Sequence, residues 1–511
     1  MLATACGPGK PAIPADTLVI GQVAEPKSLD PHVATSTNDF RICVNIYEGL
    51  VRFADGSLDI VPALASDWSI SDDGRTYTFH LRRGVVFHDG TPFDAEAVAW
   101  NFRRMLDEDH PAHGTGPFPL AFFFSAIDRI ETPDTHTVIL RLEEPFAPLL
   151  ANLAYPTGLI VSPTAVNRQG SAFGRNPVGT GPFRFAEWES RRLVRLERHD
   201  AYWGDPAASK TLIFRPLTDE NARLTELLAG GVDITLEAPP DIVGYFRERP
   251  GYRVVEQAGP HLWFLILNLQ EGLFTDRRVR RAVSHAINRK TLTDDLLQGT
   301  ATVARGPVPA AFDWAYAGDL EGYGYDPDKA RQLLEAAGAV GEEVTFFVTE
   351  GGSGMLEPLP MATAIQADLA AIGLDVSIEV YEWNTYLAKV NAGLGDEADM
   401  AQMAWMTNDP DTLPYLALRT GAWPDKGGFN SGYYSNPEVD RLLEQARRTP
   451  DQTERARLYR EVQRIVVEDA PWVFIASWRQ NAVASESVRD FTLQPSFLLH
   501  LEDVYKTRPT S

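Results

Sequence analysis

YEGLVRFADGSLDIVPALASDWSISDDGRTYTFHLRRGVVFHDGTPFDAEAVAWNFRRM, residues 47–105, is the stretch whose reading decides the fold. It is a succession of tight turns and short strands. Ser71-Asp72-Asp73-Gly74-Arg75 is a turn in which glycine supplies a positive φ. Tyr77, Phe79 and Leu81 then alternate with Thr76, Thr78, His80 and Arg82, the period of a half-buried strand. His88-Asp89-Gly90-Thr91-Pro92 is a second turn. Asp94 is placed to cap a helix beginning Ala95-Glu96-Ala97, with Val98, Phe102 and Met105 as its apolar face.

Length and composition set the outer bounds. The chain of 511 residues is too long for one compact core, so two or three domains are expected. Seventy acidic against 47 basic side chains leave a net charge of −23, a field that disfavours nucleic acid and anionic membrane surfaces. No apolar run is long enough to span a bilayer. The two cysteines, Cys6 and Cys43, make neither a disulfide scaffold nor a zinc site. Their separation permits a bridge without requiring one. Met1-Leu2-Ala3-Thr4-Ala5-Cys6-Gly7 reads as the tail of a bacterial lipoprotein signal, small residues ahead of a cysteine to be lipidated, with most of the signal missing. The alternative is a disordered tail with an incidental cysteine. Residues 7–11, Gly-Pro-Gly-Lys-Pro, follow as a tether.

The run WSISDDGRTYTFHLRRGVVFHDGTPFDAEAV, residues 68–98, resembles the signature of the large solute-binding proteins of ABC importers, the family of dipeptide, oligopeptide and nickel receptors. Further segments extend the resemblance over nearly the whole chain. Glu25-Pro26-Lys27-Ser28-Leu29-Asp30-Pro31 is similar to the turn after the family's first strand, which puts Glu25 at the cleft edge. Asn176-Pro177-Val178-Gly179-Thr180-Gly181-Pro182-Phe183 is similar to the motif that returns the chain to the first domain. Phe274 to Arg289 resembles the entry to the C-terminal lobe, and Tyr381 to Tyr386 and Tyr434 to Asp440 match within it. The resemblance implies an α/β, two-lobed periplasmic-binding-protein-like fold of the large three-domain variety (type II), with a hinge and a central ligand cleft. Residues 1–16 are then a signal remnant and tether. Residues 17–55, 177–268 and 481–511 form domain I, residues 56–176 domain II, and residues 269–480 domain III, the second lobe.

Local patterns agree with that layout. Thr17–Val23 is a short buried-type strand, and Phe40–Leu50 has a helical apolar face. Trp263–Leu269 is a hydrophobic strand. Helices and strands alternate through residues 326–381, which argues for α/β packing. Arg277, Arg278, Arg280 and Arg281 sit at helical spacing beside Val279, Val283 and Ile287, so they read as a solvated, ion-paired face rather than a nucleic-acid patch. The phenylalanines at 118, 122, 123 and 124 read as core, with one or two available to line a cleft.

Catalytic patterns are missing from the sequence. Gly351-Gly352-Ser353-Gly354-Met355 falls short of a nucleophile elbow at Met355. There is no H-E-x-x-H, Walker A or C-x-x-C motif. The His88-Asp89 pair sits in a glycine turn and reads as structural. Neither a cofactor nor a metal is expected, because no His/Cys cluster has ligand spacing.

The strongest ligand-site candidate is Met403-Ala404-Trp405-Met406-Thr407-Asn408-Asp409-Pro410-Asp411. An apolar strand ends there and a polar loop begins, where α/β sheets place ligands. It is similar to the family's segment whose backbone and acidic side chain hold a peptide. A carboxylate in a closed cleft pairs well with an ammonium group, and Trp405 offers an apolar wall or a cation–π face. The segment departs from the family at Asn408, where peptide binders carry Asp. Asp409 then takes the anchoring role, or the anchor is absent, or Asp409 and Asp411 only cap the following turn. Trp263, Trp383 and Tyr386 are aromatic cleft candidates against a core role, and Arg419 is a candidate for a carboxylate.

These readings converge on a monomeric extracytoplasmic receptor that captures short peptides between two lobes and delivers them to membrane permease subunits. It would touch the membrane only through a lipid on Cys6. The same role for an oligosaccharide, an opine-like conjugate or a metal chelate is the alternative. A hydrolase on a related scaffold is the remote one.

Overall fold

The computed structural model describes residues 14–352 and 354–507. The lipidation candidate Cys6 and its pairing with Cys43 lie outside the described residues. Cys43 itself is a free, buried thiol.

One strand, Trp472–Ser485, organises the molecule. Its first half pairs with His261–Leu267, and its second half pairs with Tyr252–Ala258 and Ile234–Leu236. Beyond His261–Leu267 the sheet continues through Met400–Met406, Glu343–Thr349 and Asp375–Tyr381. On the other side it continues through Thr17–Gln22, Thr211–Pro216, Leu193–Arg198 and Phe183–Glu189. Two α/β halves therefore share one strand, and each half is the sheet of one lobe. The chain crosses between them at Gly259-Pro260 and around Ser477-Trp478. The strand at 261–267 thus pairs within the second lobe, a correction to the expected boundary at 268. Its pairing with Met400–Met406, not its hydrophobicity, decides where it belongs.

That strand is buried at every position. Alternate side chains point to opposite faces of a strand. Leu262, Phe264 and Ile266 accordingly enter one core, while Trp263, Leu265 and Leu267 enter another with Val279, Val283, Phe346 and Ile365.

The opening stretch forms a separate small sheet in the order 65–70, 76–81, 137–142, 127–134. Tyr77, Phe79 and Leu81 are buried as their alternation predicts. Asp94 Oδ1 accepts from the Ala97 N–H at 2.9 Å and starts the helix Ala95–Leu106, whose Val98, Phe102 and Met105 cover the sheet. Arg104 on this helix is fully buried and pairs with Asp30 at 2.6 Å, tying this unit to the loop after the first strand.

The first helix runs Thr37–Ile46, earlier than the expected 40–50, because Ser36 Oγ caps it by accepting from the Asn38 N–H. Its far end is crossed by the Gly179-Thr180-Gly181 turn. A Cβ at Gly179 would stand 2.2 Å from the Ile46 carbonyl oxygen, so only glycine lets the two backbones pass. No helix follows this turn; the strand Phe183–Glu189 does. The tail after Ser485 runs back over the first lobe, where Arg41 and Asn45 donate to the Phe497 and Leu499 carbonyls.

The four arginines at 277–281 divide by face. Arg277, Arg278 and Arg281 pair with Asp469, Asp276 and Glu468. Arg280 is buried and donates to the Asp469, Phe274 and Thr275 carbonyls, closing the helix against its neighbour. Among the described residues no helix is long and apolar enough to cross a membrane.

Candidate functional site

The two crossings are tied together by His261. The Trp478 N–H donates to His261 Nδ1 at 3.0 Å, and Ser477 Oγ donates to the His261 carbonyl at 2.5 Å. Because Nδ1 accepts, Nε2 carries the proton and donates to the Gly354 carbonyl at 2.8 Å. Burial lowers the imidazole pKa to about 4, so the ring is neutral at physiological pH.

Beside these crossings, between the lobes, lies a chamber of about 780 Å³. This is the size of cleft that takes a small ligand. The first lobe contributes Lys27, Thr37, Arg41, Tyr155, Glu237 and Phe497; the second contributes Met355, Trp383, Trp405 and Met406. Arg41 Nη1 donates to Glu237 Oε1 at 2.6 Å. The arginine side chain is 3% exposed and the glutamate 26%, so the carboxylate is the member of the pair a ligand reaches. Glu237 is the one carboxylate lining this chamber among the described residues. Lys27 is placed by its own N–H, which donates to Asp39 Oδ1 at 2.8 Å. Burial raises the Asp39 carboxyl to about 6.

Two lining residues hold left-handed backbone, Glu237 at φ 52° and Phe497 at φ 63°. Such non-glycine conformations cost about 1–3 kcal/mol and persist where their surroundings over-determine them. Asn481 does this for Glu237. Its side chain accepts from the Ala238 N–H at 2.8 Å and donates to the Ala238 carbonyl, while its own carbonyl accepts from Glu237.

The segment 403–411 divides its side chains between chambers. Trp405 and Met406 line the main chamber, and with Thr407 and Asn408 they also line a smaller apolar one of about 220 Å³. Trp405 is fixed edge-on to Phe429 at 5.3 Å. Asn408 is buried and bridges the lobes, its Nδ2 donating to Asn152 Oδ1 at 2.8 Å. Asp409 faces away from the main chamber into a third cavity and pairs with the buried Arg455 at 2.7 Å. Asp411 is buried against Arg447 at 3.0 Å and the Tyr459 hydroxyl. Burial raises its carboxyl to about 6, against the opposing pull of Arg447. Asp409 is held by Arg455 and Asp411 by Arg447, and neither aspartate lines the main chamber. Asp411 does not cap the helix it precedes, and Asp409 receives the Asp411 N–H within the turn.

The remaining candidates separate cleanly. Trp383 lines the chamber, stacked on Tyr386 with ring planes 12° apart. Tyr386 itself is fully buried, its hydroxyl spent on the Gln402 carbonyl, and Trp263 is fully buried on the core face of its strand. Both are core residues, a correction to the cleft reading. Arg419 pairs with Glu444 at 3.2 Å and lies over the Tyr415 ring, away from the chamber. Glu25 receives the Trp188 indole N–H at 2.9 Å. Burial raises its pKa, but that bond, with others from Arg191 and Ser190 and the charge of Arg175, outweighs burial and lowers it.

Lys27, Arg41, Glu237, Tyr155 and Phe497 are chamber residues that sequence reasoning missed. Arg41 sits in an ordinary helix and Glu237 in a short strand exit, so no local pattern marks them. The phenylalanine cluster splits: Phe118 and Phe124 are core, while Phe122 and Phe123 line the smaller chamber.

A two-lobed α/β molecule with a chamber between its lobes and two chain crossings beside it is built to bind a solute. The family model for bacterial extracellular solute-binding proteins, family 5, middle region, matches residues 59–426. The chain belongs to that family, whose members are binding proteins that work outside the cytoplasm. It is 32% identical to Di/tripeptide-binding protein 2 of Pseudomonas aeruginosa, over 94% of this chain and 93% of the relative. It is also 32% identical to Heme-binding protein A of Haemophilus influenzae, over 88% of this chain and 85% of the relative. Among solved structures it is similar to the ABC transporter-associated periplasmic binding protein DppA from Helicobacter pylori in complex with the peptide STSA. That likeness has a TM-score of 0.79 at 32% identity and covers 96% of this chain and 98% of the other.

Proposed function

We propose that the protein is the receptor of an ABC importer for short peptides. The observation that carries this is the placing of both charges on one wall of the chamber, Lys27 and Arg41 beside Glu237, between the aromatic walls of Trp383, Trp405 and Tyr155. A zwitterion with apolar side chains answers that arrangement. Its ammonium meets Glu237, in place of the aspartate that the family resemblance led one to expect near position 408. Its carboxylate meets Lys27 and the positive N-terminal end of the helix at Thr37. The peptide-binding relatives support the reading.

The lobes close about the two crossings, because a ligand touching both favours the closed state. The closed molecule then docks on membrane permease subunits as a monomer, anchored by a lipid on Cys6. No covalent step is required of it.

The test is mass spectrometry of small molecules released when the purified protein is denatured, with calorimetric titration of alanine tripeptides on wild type and Glu237→Gln. A set of short peptides, bound about tenfold or more weakly by the variant, is expected for the loss of a charged hydrogen bond. A single non-peptide solute is the second reading, and Asn408 and the heme-binding relative favour it. Release of such a solute with no tripeptide binding overturns the peptide reading.

A further inference from the structure

The smaller chamber of about 220 Å³ adjoins the main one, sharing Thr37, Tyr155, Trp405, Met406 and Phe497 with it. Six aromatic rings stand in its walls. Phe40 and Phe123 each stand edge-on to Tyr155, at 5.4 and 5.6 Å, and Phe122 stands edge-on to Phe123 at 4.6 Å. Phe122 is 54% exposed, an unusual state for so large an apolar ring. Three of the polar side chains that line it are already spent. Thr407 Oγ1 donates to the Asp409 carbonyl, Thr412 Oγ1 donates to Asn408 Oδ1, and Asn408 Nδ2 donates to Asn152. A polar group entering here would lose its water and find few partners, which is costly, whereas an apolar group would lose nothing but water.

From this we infer a specificity within the peptide reading above, on which it rests: the small chamber seats one bulky apolar side chain of the bound peptide, leucine or phenylalanine in kind. The chamber is also composite. Phe40, Phe122, Phe123 and Tyr155 come from the first lobe, and Pro260, Trp405, Met406 and Leu416 from the second or its crossing. A side chain held there is touched by both lobes, so its burial adds directly to the free energy of closure. Peptides of small or polar residues bind through their charged ends alone and close the lobes less completely.

The experiment is calorimetric titration of the full chain with tri-alanine and with alanine tripeptides carrying Phe, Leu or Asn at each position in turn. At one position Phe and Leu are expected to bind about tenfold or more tightly than Ala, with Asn no better than Ala, as burial of a large apolar side chain requires. Leu416→Trp fills the chamber and Phe122→Ala removes a wall, and each should shrink the Phe-to-Ala affinity ratio. Phe122 is so exposed that its truncation leaves little folding energy at stake, which covers the case of a poorly folded Leu416→Trp. Equal binding of Ala, Asn, Leu and Phe peptides at all positions overturns this inference and leaves the peptide reading standing, as does a ratio unchanged in Phe122→Ala. No binding of any tripeptide overturns both.

Discussion

The amide of Asn408 donates to Oδ1 of Asn152 at 2.8 Å across the two lobes. Its orientation is set from both ends. Asn152 Nδ2 is committed to the Phe123 carbonyl at 2.9 Å, and Asn408 Oδ1 receives the Thr412 hydroxyl. Asn408→Asp would set a carboxylate oxygen against Asn152 Oδ1, two acceptors with no proton between them. Loss of a buried hydrogen bond with an unsatisfied partner costs about 1–3 kcal/mol. The variant should favour separated lobes, seen as a larger radius of gyration by small-angle scattering of the ligand-free protein. An unchanged radius would remove Asn408 from the closing contact.

His261 should give the protein an acid-sensitive crossing. Its folded pKa lies near 4, below the unfolded value of 6.5, so the native state refuses a proton that the unfolded state takes. This contribution to stability is therefore complete above pH 6.5 and is lost as pH falls through about 4. Protonation also sets an Nδ1–H against the Trp478 N–H. His32 and His88 are lowered to about 4 by burial as well, so the acid slope is shared among them. His261→Gln should flatten the melting-temperature profile between pH 4 and 6.5 relative to wild type. Parallel profiles would show that the ring is not the group titrating there.

Asp409→Asn should damage folding more than binding. Its carboxylate neutralises Arg455, and both side chains are more than nine-tenths buried. Removing one partner of a buried ion pair costs up to about 3–5 kcal/mol. Melting temperature should fall, while tripeptide affinity of the folded fraction stays near that of wild type. A large loss of affinity at unchanged stability would return Asp409 to the ligand.

Arg104→Met tests the joint between the small sheet and the first lobe. It leaves Asp30 buried without its cation and His32 without the guanidinium at 3.2 Å. A loss of about 3–5 kcal/mol is expected, readable in thermal melts. Asp30→Asn combined with it should recover part of that loss, since no lone charge then remains.

Periodicity and caps made much of the fold legible. Asp94 begins a helix as its position before an apolar-periodic run predicts. The tryptophans show where legibility stopped. Trp263, Trp383 and Trp405 look alike in sequence, each an aromatic in or beside a short apolar run. Trp263 is core because its strand is covered on both faces, whereas Trp383 and Trp405 stand at element ends that open on the chamber.

Local sequence thus determined what short-range physics controls: the turns, the caps, the strand alternation of residues 76–81, and, through a long signature, the family. Tertiary structure alone decided which charges face the ligand. Asp409 is an obvious anchor until Arg455, distant along the chain, comes to lie against it. Glu237 is unremarkable until Arg41 and the lobe opposite make it the carboxylate of the chamber. A charge's availability depends on what is packed within a few ångströms of it, and chain order does not encode those neighbours.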